Sequence, residues 1–286
     1  MPTNVLTALK TAAGRQSMPD GSAYRSLALA DAEAIARQCK LPLKDVELAA
    51  LENNILPERY ARNRQSFSLN DQARLLQSSV VVVGLGGLGG TVVEILARTG
   101  VGRLRLIDGD RFEESNLNRQ LICRLDRISQ SKARAAADHV RCINAAVEVD
   151  CRQENLTAGN AAALVAGADV AVDCLDNIEA RFMLEKASRS AGIPLISAAV
   201  AGTCGQLTTI FPEDPGLSAV YGDPDQTVPV KGAEAVLGNL AFTVSAIAAL
   251  EAAETVSVLL HRASSLRNRM LFVDLKDYTF ETLRLR

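Results

Sequence analysis

The chain has 286 residues, 48% of them hydrophobic, and a formal net charge of −2. That suffices for one large domain with an appendage, and the near-neutral charge speaks against nucleic acid or an anionic membrane as the partner. Aromatic residues make up 4% with no Trp, so the core must come from Ala, Val, Leu and Ile, as in a parallel sheet covered by helices. The six cysteines, Cys39, Cys123, Cys142, Cys151, Cys174 and Cys204, form no C-x-x-C pair. This excludes a disulfide scaffold and the usual spacing of zinc ligands. No basic start followed by an apolar run marks a secretory leader, so a cytoplasmic location is expected.

Residues 1–26 are polar and small, with weak periodicity, and are expected to be loosely ordered. Leu27–Cys39 and Leu43–Asn54 carry helical spacing and are separated at Leu41-Pro42. Acids outnumber bases between Leu27 and Glu58, so this helix pair reads as a packing or partner-docking appendage and not as a DNA reader. From Val80 onward strands and helices alternate. Strands are expected near Val80–Val83, Arg103–Asp108, Val147–Cys151, Val170–Cys174, Leu195–Ala199 and Leu207–Phe211, with helices near Thr91–Thr99, Lys132–Asn144, Thr157–Ala166 and Ile178–Ser190. The alternation predicts an α/β fold, a doubly wound, Rossmann-like, mostly parallel sheet. Pro212–Gly232 is rich in Pro, Gly and Asp and reads as a long surface loop. Leu240–Leu260 is nearly continuous apolar sequence, but Glu251 and Glu254 interrupt it, which favours a buried or dimer-contact helix over a membrane span. Leu271–Leu275 and Thr279–Leu283 close the sheet as an antiparallel pair.

The chemistry concentrates between Val80 and Asn177. Gly84, Gly86 and Gly89 form a G-x-G-x-x-G turn between a strand and a helix, where backbone amides can meet a phosphate. Asp108 follows about 20 residues on, at the place of an acid that binds a ribose hydroxyl. Asp110, Asn116, Arg119 and Gln120 lie on the loop beyond it, and Lys132 opens the next helix. A nicotinamide site has no use for that arginine and lysine. A nucleoside triphosphate does, because they stabilise the reacting phosphorus and departing pyrophosphate. Asp173 and Asp176 end the fourth strand, where ligands of open α/β sheets bind. Asp176 is placed there to hold Mg²⁺ or, alternatively, to cap the next helix.

Gly84-Leu-Gly-Gly-Leu-Gly89, Asp108-Gly-Asp110, Ser115-Asn-Leu-Asn-Arg119-Gln120, Ser131-Lys132 and Asp173-Cys-Leu-Asp176-Asn177 resemble, in order and spacing, the ThiF/MoeB/HesA family of ubiquitin-activating-enzyme-like adenylyltransferases. Arg59-Tyr60-Ala61-Arg62 resembles the family's Arg-Tyr-x-Arg motif. The resemblance divides the chain into an N-terminal helical extension, residues 1–58, and an ATP-binding adenylation domain, residues 59–286, with a crossover loop at 212–232. It implies that Gly84, Gly86, Gly87 and Gly89 line an ATP site and that Asp108 and Asp110 bracket the ribose. Asn116, Arg119 and Lys132 would contact phosphates, Gln120 and Asn177 would join the nucleotide contacts, and Asp176 would support Mg²⁺. Arg62 would reach the site of a neighbouring subunit in a homodimer. The implied reaction is adenylation of the C-terminal glycine of a ubiquitin-like sulfur carrier ending in Gly-Gly. Two departures stand out: the paired zinc cysteines of many relatives are missing, and Pro212–Gly232 has no cysteine for a thioester or persulfide. A scaffold that binds without turnover and an NAD-dependent oxidoreductase are the competing readings.

Overall fold

The structure, a computed structural model, describes residues 3–223, 233–264 and 266–285. Residues 224–232, the second half of the expected crossover loop, lie outside the described residues.

The N-terminal unit runs α1 (Thr3–Ala12), β1 (Gly14–Ser17), β2 (Ala23–Leu27), α2 (Leu29–Cys39), α3 (Leu43–Glu52) and β3 (Ile55–Pro57). Strands β1 and β2 pair antiparallel, and β3 joins β2 in parallel. The expectation of a loosely ordered start is thus corrected. Val5 and Leu9, one turn apart on α1, are both 0% exposed. They share a core with Leu27, Ile35, Val46, Ala49 and Ile55, so burial orders a segment whose periodicity is too short to stand out. A 3₁₀ turn, Glu58–Asn63, and α4 (Leu69–Gln77) follow. Ser68 opens α4 by accepting from the Asp71 N–H, and the Asp71 carboxylate returns the bond to the Ser68 N–H, a complete capping box.

The large sheet then begins: β4 (Ser79–Val83), α5 (Gly87–Thr99), β5 (Arg103–Ile107), α6 (Lys132–Ile143), β6 (Glu148–Arg152), α7 (Ala161–Val165), β7 (Val170–Asp173), α8 (Ile178–Ala191), β8 (Leu195–Ala201) and β9 (Cys204–Ile210). It ends with α9 (Ser218–Tyr221), α10 (Glu234–Leu237), α11 (Ala241–Leu259), β10 (Arg269–Asp274) and β11 (Thr279–Arg284). The strand order is β11-β10-β9-β8-β7-β4-β5-β6. Strands β6, β5, β4, β7 and β8 run parallel, and β9, β10 and β11 continue the sheet antiparallel. This is the expected doubly wound sheet with antiparallel closing strands.

Alternation along β4 shows how both faces are filled. Val80 and Val82 pack into one core with α5, α6 and α11, while Val81 and Val83 pack into the other with α7 and α8. Each such buried Val contributes about 1.5–3 kcal/mol. Helix α11 lies across β7, β8 and β9 and against α5, and its apolar composition is that of a core helix. The chain leaves β6 and returns to β7 on the other side of β4, so the carboxyl ends of β4 and β7 flank a topological switch point. Ligands of such sheets bind there.

Candidate active site

The turn after β4 has its shape dictated by close approach. Gly84 adopts φ +87°, its N–H donates to Ile107 O at 2.9 Å, and a Cβ there would stand 2.6 Å from Cys174 O. A Cβ on Gly89 would stand 1.9 Å from Gly84 O. Both positions therefore admit only glycine, and they press the start of α5 onto the ends of β4 and β7. Gly86 is the N-cap of α5, which begins at Gly87, a turn earlier than the expected Thr91. The first-turn amides of Gly87, Leu88 and Gly89 point out of the helix without intrahelical partners, forming an anion site reinforced by the helix dipole.

Beside this turn, β5 delivers Asp108. Its two carboxylate oxygens accept from Leu85 N at 2.7 Å and Asp110 N at 2.8 Å, so it braces the glycine turn from below. Burial raises its pKa, against the opposing pull of Lys132. Lys132, at the N-terminus of α6, is 8% exposed, and its Nζ pairs with Asp110 Oδ2 at 2.9 Å. Lys132 lies 22 residues beyond Asp110 in the sequence, across a loop, and the fold brings it back to the two aspartates.

The loop between β5 and α6 folds back over the turn. Asn116 is buried and its Oδ1 accepts from Glu113 N at 3.1 Å, which fixes the loop and occupies one face of the amide. The Arg119 carbonyl packs on Gly87, while its guanidinium donates to Ser115 O at 3.0 Å and Asn118 Oδ1 at 2.8 Å. Gln120 is 6% exposed, its amide lies against Gly86, and its Oε1 has no hydrogen-bond partner. An orphaned buried acceptor facing a glycine turn marks a place where a donor is missing, such as a ligand hydroxyl or water.

The carboxyl end of β7 supplies the opposite wall. Asp173 is 0% exposed and pairs with Arg181 Nη1 at 2.9 Å. Ser197 Oγ donates to Asp173 at 2.7 Å and Leu175 N donates to it at 3.1 Å. Arg181 also donates to Ala198 O at 2.8 Å and to Leu175 O. Asp176 follows this knot, is exposed, and makes no hydrogen bond or ion pair among the described residues. Asn177 is the helix cap: its Oδ1 accepts from Ala180 N at 2.8 Å at the start of α8. Its side chain serves the helix, and Asp176 beside it is left free.

Beneath the wall, Glu251 of α11 is 0% exposed with Oε1 unpartnered, and Cys174 Sγ donates to its other oxygen at 3.6 Å. Burial, with the nearby Asp173 carboxylate, holds the Glu251 carboxyl far above its usual range. Burial and the same carboxylates push the Cys174 thiol up, which suits an inert structural cysteine. Arg181 and Glu251 were not read as site residues from sequence. For Glu251 a charged residue inside an otherwise apolar helix was the available signal; Arg181, whose helix also buries Glu185 and Ser188, gave none. Arg62 lies on the Glu58–Asn63 turn, exposed and without a hydrogen bond or ion pair among the described residues.

Comparison with known proteins places the chain among relatives. The SAMP-activating enzyme E1 of Haloferax volcanii is 39% identical over 233 residues, which span 80% of this chain and 85% of that protein. The adenylyltransferase and sulfurtransferase MOCS3 of Drosophila sechellia is 34% identical over 241 residues, 80% of this chain and 51% of that one. The chain therefore spans only about half the length of MOCS3. The fold is shared with the crystal structure of PaaA (TM-score 0.68, 24% identity, 80% of this chain and 82% of PaaA). It is also shared with E. coli MccB with ATP (TM-score 0.67, 20% identity, 89% and 82%). Residues 60–286 match the ThiF family, and the chain belongs to that family.

Proposed function

We propose that this protein uses ATP to adenylate the C-terminal glycine carboxylate of a ubiquitin-like sulfur-carrier protein ending in Gly-Gly. The observation that carries the reading is the meeting, at the switch point, of unpaired α5 amides, the Asp108–Asp110–Lys132 group and the orphaned Gln120 amide. Family membership sets aside the nicotinamide reading. The curated relatives, named as E1 and adenylyltransferase enzymes, support the choice of substrate class.

The chemistry asks little of the protein beyond placement. A C-terminal carboxylate is ionised at neutral pH, so it attacks the α-phosphate without a general base. The bond from the α-phosphorus to the bridging oxygen breaks as the acyl–phosphate bond forms, giving acyl-adenylate and pyrophosphate. The α5 amides would hold phosphate oxygens, and Asp108 and Asp110 the ribose hydroxyls. Lys132, released from Asp110, and Arg119, released from Ser115 and Asn118, would neutralise charge as pyrophosphate departs. Arg119 leaves only neutral acceptors, so its release costs little. Asp176 would hold Mg²⁺: one free, solvent-facing carboxylate suits a hard cation that keeps most of its waters. When bound, the ion would supply charge neutralisation at those oxygens.

We further place the enzyme in the cytoplasm as a homodimer in which Arg62 enters the neighbouring copy's site. Six free cysteines suit a reducing compartment, and an exposed, unengaged Arg62 suits a role outside its own chain. Mass spectrometry of a Gly-Gly-ended carrier incubated with protein and ATP should reveal an added AMP. The missing paired zinc cysteines and loop cysteine favour one second reading, a scaffold that binds without turnover. Binding of carrier and nucleotide with no AMP adduct would establish it.

A further inference from the structure

The Glu58–Asn63 turn is six residues of 3₁₀ helix, longer than such runs usually persist unaided. Side chains of several other elements hold it. Glu58 accepts from Tyr24 Oη at 3.2 Å and from Ser26 Oγ, both on β2. Arg59 pairs with Glu47 of α3 at 2.9 Å and donates to Asn144 Oδ1 at 2.6 Å. Tyr60 is 0% exposed, its hydroxyl accepts from Asn144 Nδ2 at 2.8 Å, and its ring covers Gly100 so closely that a Cβ there would lie 2.7 Å from it. Asn63 donates to Gln72 of α4 at 3.1 Å, and the Arg64 guanidinium stacks over Tyr24 at 5.3 Å. Of the polar side chains from Glu58 to Arg64, Arg62 alone has no hydrogen bond, ion pair or ring contact among the described residues.

We propose that the N-terminal unit is a clamp that presents Arg62, with Tyr24, Ser26 and Glu47 as positioning residues for adenylation. The proposal rests on the reading of Arg62 given above. An appendage that merely folds needs only its own apolar core, Val5, Leu9, Ile35, Val46 and Ile55, which is complete without these polar ties. The ties instead point at one turn, from β2 and α3 on one side and from α4 and α6 on the other. They fix the backbone on both sides of position 62 and leave the arginine's own torsions as its remaining freedom. A positioned arginine is a preorganised one, and preorganisation is worth most in the transition state.

The test uses the full chain with ATP and a Gly-Gly-ended carrier, comparing Arg62→Ala, Glu47→Ala, the pair Tyr24→Phe with Ser26→Ala, and each clamp change on the Arg62→Ala background. The Tyr24/Ser26 pair removes two hydroxyls but keeps the Tyr24 ring that packs against Leu51, Leu56 and Tyr60, so it folds even if Glu47→Ala does not. We expect Arg62→Ala to lower kcat about 100-fold and the clamp variants about tenfold, with KM for the carrier unchanged. Amide exchange across residues 58–64 should quicken in the clamp variants, and their changes should cost nothing more once Arg62 is gone. Wild-type kcat in the Tyr24/Ser26 pair, or a loss that multiplies with that of Arg62→Ala, would overturn the clamp. Wild-type kcat in Arg62→Ala would instead overturn the reading of Arg62, and the clamp with it.

Discussion

The loops after β4 and β7 face each other across the switch point and are shaped by opposite means. The first is built by subtraction: Gly84 and Gly89 remove side chains so that backbone meets backbone. The second is built by addition: a buried guanidinium from α8, Arg181, is driven between Asp173, Leu175 and Ala198. The β4 loop leaves amides free for an anion. The β7 loop spends its polar groups internally and leaves one carboxylate, Asp176, outside. The first design offers amides to negative charge, and the second keeps one carboxylate free at the same end of the sheet.

Substitutions should separate these two designs. The largest effect is expected at Gly89→Ala, where the new methyl meets backbone oxygen with nothing flexible to give way. The stabilisation of the protein by ATP in a thermal melt should vanish, and a preserved shift would show that the turn does not carry the nucleotide. Arg181→Leu should cost about 3–5 kcal/mol in a denaturant titration, because Asp173 is then a buried charge without its cation. A loss under about 1 kcal/mol would mean that the loop is held by other bonds.

The N-terminal clamp offers a pH probe. Glu47 is 0% exposed and pairs with Arg59 at 2.9 Å, yet burial raises its pKa to about 7 from 4.5. A raised folded-state value means that this group's stability is fully present below about 4.5 and is lost as pH rises through about 7. Between pH 5 and pH 8 the wild type should lose up to about 3 kcal/mol relative to Glu47→Gln. Parallel stability curves for the two would refute that assignment. The smallest effect is expected at Asn177. Asn177→Ala should cost about 1 kcal/mol through the lost α8 cap, and Asn177→Ser should restore both stability and turnover. Failure of serine to restore turnover would return Asn177 to the nucleotide.

The same contrast explains what could be read in the chain before folding. Glycines, β-branched runs and alternating elements act locally, so the β4 turn, the sheet and Asp108 were legible from spacing. Arg181 was not, because its partners Asp173, Ser197 and Ala198 lie on two other strands and nothing local demands a cation there. Within the N-terminal unit, α2 and α3 were legible from their spacing, but α1 and the strands escaped for a related reason: α1 gives the core only Val5 and Leu9, and β2 and β3 give one residue each, too few to declare a period. Helix α5 was placed a turn late because glycine lowers helix propensity, whereas close packing on Gly84 demands it at position 89.

Exchange of labelled pyrophosphate into ATP tests the central claim most directly, since it reports reversible cleavage between the α- and β-phosphates. The account predicts exchange when a carrier ending in Gly-Gly is present, none when the terminal glycine is deleted, and a steep loss in Asp176→Asn with the fold intact. Carrier-independent release of ADP, or tight nucleotide binding with no exchange at all, would contradict it.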